Sequence, residues 1–254
     1  MHKDIDSFQR LFGLIGYPIS HSFSKKYFTE KFQKESIENC FYELFPLEHI
    51  DLLPSLIQAH NHLEGLNVTI PYKQLVMPFL DEIAPSAREV GAVNTIRIKN
   101  GKLHGYNTDI YGFEHSLLKL LNSGPVQPKK ALVLGTGGAA SAVIYVLNKL
   151  KIGYKTVSRT ADKGNLVYQD LNAKIMQAYK LIINTTPLGM SPNINNLPLI
   201  PYTSIGTEHF LFDLVYNPEE TAFLKTGKFA GAATSNGMEM LFLQAEKAWE
   251  IWNL

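Results

Sequence analysis

Two side chains are best suited to moving a proton: Lys73, which ends NVTIPYK (67–73), and Asp109, which ends GYNTD (105–109). An ammonium near a carboxylate can bind a hydroxyl and, once partly desolvated, exchange its proton. Short polar side chains suited to a polyhydroxylated ring stand beside them: Asn67 and Thr69, then Asn94, Asn107 and Thr108. In AVNTIRIKNGKLHGYN (92–107) the Asn100-Gly101 pair signals a hairpin turn, whose two arms bring Asn94 toward Asp109. A third cluster, SHSFS (20–24), puts Ser22 and Ser24 at the expected start of a helix. There, two hydroxyls and free backbone N–H groups can hold a carboxylate without an arginine. Simple capping would also account for one of these serines and for Asp109, and His21 fits a structural histidine.

A different chemistry is written in ALVLGTGGAASAVI (131–144), an apolar run, a glycine turn and small residues at helical spacing. Gly135, Gly137 and Gly138 permit a tight turn and let main-chain N–H groups approach a pyrophosphate at a helix N-terminus. The next strand candidate, YKTVS (154–158), leads into Ser158, Arg159 and Thr160, 24 residues beyond Gly135. An acid for the ribose hydroxyls is usual near that position, and none stands there. A guanidinium there pairs with a 2′-phosphate, with Lys163 as second cation, so the reading is NADP rather than NAD. LIINTTP (181–187) and FLFDLVYN (210–217) read as further parallel strands that bring Asn184, Thr185, Pro187 and Tyr216 near the nicotinamide end. Each of these four also suits a turn.

The elements that must hold these groups fall in two sets. Before the linker-like NSGPVQPKK (122–130) the order is strand (12–18), helix (24–36), strand (40–46), helix (48–60), strand (65–71), hairpin and helix (109–121). After it come the nucleotide-binding strands, to about 235, and a final helix at about 237–252. A chain of 254 residues with 45% apolar content suits two modest cores. The 24 basic and 23 acidic residues nearly cancel, which argues against nucleic-acid or anionic-membrane partners and for a small-molecule substrate. One cysteine excludes an intrachain disulfide or a thiolate zinc cage and leans cytoplasmic. Neither a secretory leader nor a membrane span is read. His60, His62 and Glu64 point different ways at a helix end, so no metal site is expected.

GYPISHSFS, GLNVTIPYK, GAVNT, GYNTD, GTGGAA, SRT, NTTPLGM, DLVYNP and NGMEMLFLQA occur in the order found in shikimate dehydrogenases. The chain resembles that family from about residue 11 to 252. The resemblance implies an α/β fold of two lobes: an N-terminal α/β substrate-binding domain (1–108 plus 238–254) and a Rossmann-like, doubly wound NADP-binding domain (109–237). The C-terminal helix returns to the first lobe, and two ligands are held across the cleft between lobes. The implied activity is reversible NADPH-dependent reduction of 3-dehydroshikimate to shikimate, a step toward aromatic amino acids, by a monomer or homodimer.

Carried over motif by motif, Lys73 and Asp109 match the catalytic pair, and Ser22 and Ser24 the carboxylate site. Asn67, Thr69, Asn94 and Gln244 match the holders of ring hydroxyls. Gly135, Gly137, Gly138 and Ala139 match the pyrophosphate turn, and Ser158, Arg159 and Thr160 the adenosine-phosphate site. Asn184, Thr185, Leu188, Val215, Gly237 and Met240 are cofactor-binding positions, with Tyr216 beside the nicotinamide and counted with the substrate. Lys25, Thr136, Asn236 and Glu239 depart from the family pattern. Lys25 stands where proline is common, which puts the helix start in question. A quinate/shikimate dehydrogenase with relaxed NAD(P) use, a silent ligand-sensing homologue and a folate-pathway dehydrogenase are the rival readings.

Overall fold

The computed structural model describes residues 9–20, 22–124 and 126–254; His21 and the first eight residues lie outside them. The chain forms two compact units: residues up to Thr108 together with Ala245–Leu254, and Asp109–Gln244.

The first unit runs β1 (Arg10–Gly16), α1 (Phe23–Lys34), β2 (Cys40–Pro46), α2 (Leu53–Ala59), β3 (Leu63–Val68) and α3 (Tyr72–Leu75). It continues through β4 (Glu82–Ile83), α4 (Pro85–Val90), β5 (Thr95–Lys99) and β6 (Lys102–Tyr106). Its sheet has the order β2-β1-β3-β5-β6-β4. β1, β2 and β3 are parallel, β5 is antiparallel to β3 and β6, and β4 runs parallel to β6. The helix expected over 48–60 is divided: a 3₁₀ turn occupies Ile50–Leu52 and α2 starts at Leu53. Pro54 lacks the N–H that a helix interior needs, so it fits only the first turn.

Strand alternation decides how this unit is layered. Leu11 and Ile15 of β1 join a core with Leu53, Leu66, Val76 and Ile96, while Phe12 and Leu14 point into a second core with Phe28, Phe32, Ala248 and Trp252. The sheet is therefore covered on both faces, as its near-continuous apolar strands require.

The second unit contains α5 (Asp109–Asn122), β7 (Lys130–Leu134), α6 (Gly138–Lys149), β8 (Gly153–Ser158), β9 (Leu166–Val167) and α7 (Ala173–Ala178). β10 (Leu181–Asn184), β11 (Phe210–Asp213), α8 (Ala222–Phe229), β12 (Ala233–Ser235) and α9 (Met238–Trp252) follow. The sheet is parallel throughout, in the order β12-β11-β10-β7-β8-β9. This is the doubly wound arrangement: the chain leaves β7 for β8 on one side and returns to β10 on the other. α5 precedes the linker yet belongs here, because its buried Phe113 meets Phe212 of β11 edge-on at 5.1 Å.

The final helix starts in one unit and ends in the other, the change falling between Gln244 and Ala245. Its last turns are tied into the first unit. Trp252 stacks on Phe12 at 4.8 Å and donates its indole N–H to the Ile96 carbonyl at 3.0 Å. Lys31 of α1, buried, pairs with Glu246 at 2.8 Å and Glu35 at 2.7 Å, and Tyr27 also hydrogen-bonds Glu246. Burial pushes the Lys31 ammonium down, but these two carboxylates outweigh it and hold the amine above its usual range. Burial, reinforced by Glu246, pushes the Tyr27 phenol up. α1, which carries the serine cluster at its start, is thereby anchored to α9. Among the described residues, no helix is long and apolar enough to cross a membrane.

Candidate active site

In the first unit, β1, β3 and β6 point their C-terminal ends to one edge of the sheet, and antiparallel β5 begins there. The clusters read from the sequence are therefore delivered to that edge. Ser22 caps α1, its hydroxyl accepting the Ser24 N–H at 3.2 Å, so the helix starts at Phe23 with no proline at position 25. Lys25 instead pairs with Glu43 at 2.6 Å. Gly16 ends β1 where a Cβ would collide with Thr69 and Ile19, so glycine lets the two loops close on each other.

The sequence places Lys73 on a turn; the structure places it on α3, a single helical turn too short to leave a periodic signal. Its carbonyl accepts the Val93 N–H at 2.7 Å, and the neighbouring Tyr72 donates its buried hydroxyl to the Leu47 carbonyl at 2.6 Å. The backbone that carries the amine is thus pinned from two sides. Ser22, Ser24, Thr69, Lys73 and Asp109 are half-buried, whereas Asn67, Asn94, Asn107 and Thr108 are buried.

The buried set is hydrogen-bonded within itself. Asn94 Oδ1 accepts the Thr108 N–H at 2.7 Å and the Thr95 hydroxyl at 3.1 Å, and its Nδ2 donates to the Thr108 hydroxyl at 3.0 Å. Asn67 Oδ1 accepts the Tyr42 hydroxyl at 2.7 Å, and its Nδ2 faces the Asn94 carbonyl and the Thr95 hydroxyl, each at 3.4 Å. Asn107 donates to the Ala92 carbonyl at 3.0 Å. Asp109 opens α5 directly after Thr108. Glu64 pairs with Arg10 at 2.7 Å and His60 packs against Phe45 at 5.2 Å.

In the second unit, the glycine turn leaves β7 at the switch point of the sheet. Gly135 has φ +110° and a Cβ there would lie 2.7 Å from Thr185 Oγ1, so both backbone and packing demand glycine. Gly137 and Gly138 differ: a Cβ on either would meet nothing within 4 Å. Gly137 caps α6 without a side-chain hydrogen bond. Nothing in the chain forces these two to be glycine; their bare backbone N–H groups suit an anion arriving from outside, as a dinucleotide pyrophosphate would. Thr136 and Ala139 are exposed beside them.

At the end of β8, Arg159, Thr160 and Lys163 are exposed while Ser158 is buried, its hydroxyl bonded to the Thr160 backbone. The sequence reading missed Asp162 here. A hydrogen bond from Thr160 holds its carboxyl below the usual range. Two accessible cations and a turn of main-chain donors fit a 2′-phosphate.

Past β10 and β11, Thr185 donates its hydroxyl to the Leu134 carbonyl at 2.8 Å, and the Gly237 N–H reaches the Val215 carbonyl at 3.2 Å. Gly237 is buried where a Cβ would strike the Leu214 carbonyl. Leu188 and Tyr216 are half-buried, and burial pushes the Tyr216 phenol up. Asn184 is buried, and both ends of its amide have partners inside this unit. The Met240 carbonyl lies 2.5 Å from where a Cβ on Gly112 would be, which brings α9 close to α5. Gln244 donates to the Leu241 carbonyl at 2.9 Å. Glu239 pairs with Lys119 at 2.7 Å, and Asn236 accepts the Met238 N–H at 3.1 Å at the start of α9.

A doubly wound parallel unit with an open glycine turn, on the same chain as an α/β unit with a polar sheet edge, defines a two-unit nucleotide-binding protein of the dehydrogenase type. Residues 14–96 match the family described as the shikimate dehydrogenase substrate binding domain. The NADP(+) shikimate dehydrogenase of Carboxydothermus hydrogenoformans is 40% identical, over 96% of this chain and 91% of the relative. The shikimate 5-dehydrogenase of Thermus thermophilus, solved with NADP(H) and shikimate, superposes with TM-score 0.84 at 28% identity, covering 96% of this chain and 93% of that one. Quinate dehydrogenase from Corynebacterium glutamicum, solved with NAD, reaches TM-score 0.85 at 25% identity, covering 96% and 93%. The chain belongs to the shikimate dehydrogenase family.

Proposed function

We propose that this chain catalyses the reversible NADPH-dependent reduction of 3-dehydroshikimate to shikimate. The observation that carries the reading is the gathering of the serine cap, Thr69, Lys73 and Asn94 at one sheet edge, in a chain whose relatives are named for this reaction. Ser22 and Ser24 hold the substrate carboxylate; Asn67, Thr69, Asn94 and Gln244 hold ring hydroxyls, and Tyr216 is assigned to the substrate as well. Gly135, Gly137, Gly138 and Ala139 take the pyrophosphate, and Ser158, Arg159, Thr160 and Lys163 the adenosine phosphate. Thr185, Leu188, Val215, Gly237 and Met240 line the nicotinamide end, with Asn184 supporting the loop.

NADPH, when bound, supplies the hydride. The chain's own share is position and proton management. Lys73 meets the charge that grows on the carbonyl oxygen and, with Asp109 as its partner, delivers the proton; in reverse the pair accepts it. The unit of residues up to Thr108 with Ala245–Leu254 is the substrate domain and Asp109–Gln244 the NADP domain, the boundary in the last helix lying later than the 238 expected from the sequence, in a cytoplasmic monomer or homodimer.

The structural likeness to an NAD-bound quinate dehydrogenase favours one second reading, relaxed use of quinate and NAD. Arg159 argues against it, since a 2′-phosphate is what a guanidinium there would recognise. The test is spectrophotometric: NADP+ reduction with shikimate, repeated with quinate and with NAD+. Turnover with shikimate and NADP+ above the other three combinations is expected. Binding without turnover would make the chain a ligand sensor and end the proposal.

A further inference from the structure

Tyr42 carries a hydroxyl that the proposed reaction leaves unused. Its ring lies in an apolar layer, stacked on Phe28 at 4.6 Å and 12° and beside Trp252 at 6.3 Å. Phenylalanine would fill that volume without the cost of burying a polar atom, so the oxygen calls for a separate reason.

The reason lies in the strand register. Leu14 of β1 is paired with Leu44 on one side and Asn67 on the other, so Tyr42, two residues before Leu44, shares a sheet face with Asn67. The phenol reaches over β1 and donates to Asn67 Oδ1 at 2.7 Å. Beyond Asn67 the bonds continue through Thr95 and Asn94 to Thr108. A single line of side chains thus runs from Tyr42 to the residue that precedes Asp109.

We infer that Tyr42 is a positioning residue for the substrate: its hydroxyl, donated to Oδ1, fixes the amide orientation of Asn67, so that Nδ2 is always the group turned away from Tyr42. The inference rests on the proposed reading of this edge as the shikimate site. With Oδ1 held by the phenol, the amide is kept from flipping and Nδ2 stays the donor of Asn67.

Tyr42→Phe removes one atom and keeps the ring stack. The expected result is a KM for shikimate raised about tenfold, with kcat and the KM for NADP+ within about twofold of wild type. On an Asn67→Ala background the same change adds less than about twofold, because Tyr42 acts through Asn67. A wild-type chain that does not oxidise shikimate overturns the proposed function. A wild type that does, with Tyr42→Phe matching its KM, overturns the positioning role. So does a variant in which kcat and both KM values deteriorate together. If Tyr42→Phe does not fold, NMR of the wild-type chain decides. The Asn67 side-chain amide must exchange slowly and shikimate must shift the Tyr42 ring signals; failure of either sinks the inference.

Discussion

The amide of Asn184 donates to the carboxylate of Asp213 at 2.9 Å, and solvent reaches neither side chain. Asp213 also accepts the Thr221 hydroxyl at 2.6 Å and the Val215 N–H at 3.0 Å. Asn184 in turn accepts the Thr186 N–H at 3.1 Å and hydroxyl at 2.6 Å. One buried carboxylate therefore fixes the loops after both β10 and β11, which carry Thr185, Leu188, Val215 and Tyr216. Its burial is costly. Desolvation outweighs the three hydrogen bonds and pushes the carboxyl up from 3.8 to about 6.

A carboxyl whose folded pKa is raised binds its proton more tightly in the native state, so its contribution to stability is largest in acid and declines as pH rises. The decline spans the interval from 3.8 to about 6. Two pKa units correspond to about 3 kcal/mol. Asp213→Asn keeps the acceptor for Asn184 and Val215 and removes the titration. Relative to wild type, the variant should therefore gain about 3 kcal/mol between pH 4 and pH 7 in denaturant unfolding. Parallel stability curves for the two proteins would show that Asp213 does not titrate there.

His209 gives a dependence of opposite sign. It is buried, and its Nδ1 accepts the Gly206 N–H at 3.0 Å while Nε2–H donates to the Met176 carbonyl at 3.0 Å. That pairing requires the neutral ring, and burial lowers its pKa below 6.5. The unfolded chain takes up the proton first, so this contribution is complete above pH 6.5 and lost as pH falls below it. His209→Asn retains an acceptor for Gly206 and abolishes the titration. The difference in melting temperature between wild type and variant should narrow steadily from pH 7 to pH 5; a constant difference would exclude His209 as a source of acid sensitivity.

Much of this was legible in the chain because strand ends and glycine turns are local signals. The SHSFS, NVTIPYK and GYNTD clusters stand at the edge their strands predict, and the turn at Gly135 sits at the switch point. Asp213 stands inside a motif, yet its role depends on Asn184, 29 residues away, and on Thr221, which no periodicity reports. Tyr42 is read as one more apolar strand residue, since its hydroxyl acquires a partner only through the register of three strands. Lys73 on α3 was hidden because four residues make no period, and the divided helix at 50–59 turns on where Pro54 can sit.

The glycines of the turn should separate stability from binding. Gly135→Ala places a side chain at φ +110° against Thr185, and is expected to lower the melting temperature sharply. Gly138→Ala adds a methyl in open space at the first position of α6, where alanine is a better helix former. It should leave the fold intact or slightly more stable while raising the KM for NADP+ about tenfold or more, because the methyl stands where a pyrophosphate must approach. Wild-type NADP+ affinity in Gly138→Ala would remove the α6 N-terminus from the cofactor site.

The charges after β8 set the expected choice of cofactor. Arg159→Ala should raise the KM for NADP+ by about ten- to a hundredfold and leave that for NAD+ within a few-fold, since only the former offers a phosphate to the guanidinium. Asp162, held ionised by Thr160, stands in the same exposed turn as Arg159 and Lys163 and repels a phosphate. Asp162→Asn is therefore expected to lower the KM for NADP+. Equal effects of either substitution on both dinucleotides would show that this turn reads something other than the 2′-phosphate.

Lys73 decides the chemistry. Its backbone is fixed independently of its amine, through Val93 and the buried Tyr72 hydroxyl, so Lys73→Ala should fold normally. If the ammonium acts on the transition state, turnover should fall about a hundred- to ten-thousandfold while the KM for shikimate changes only a few-fold. Lys73→Arg should recover little, because a guanidinium remains charged and does not return a proton at neutral pH. Single-turnover measurements with NADPH and dehydroshikimate separate this from slowed product release. A variant that binds more weakly yet turns over at the wild-type rate would make Lys73 a substrate clamp and move the proton to another group.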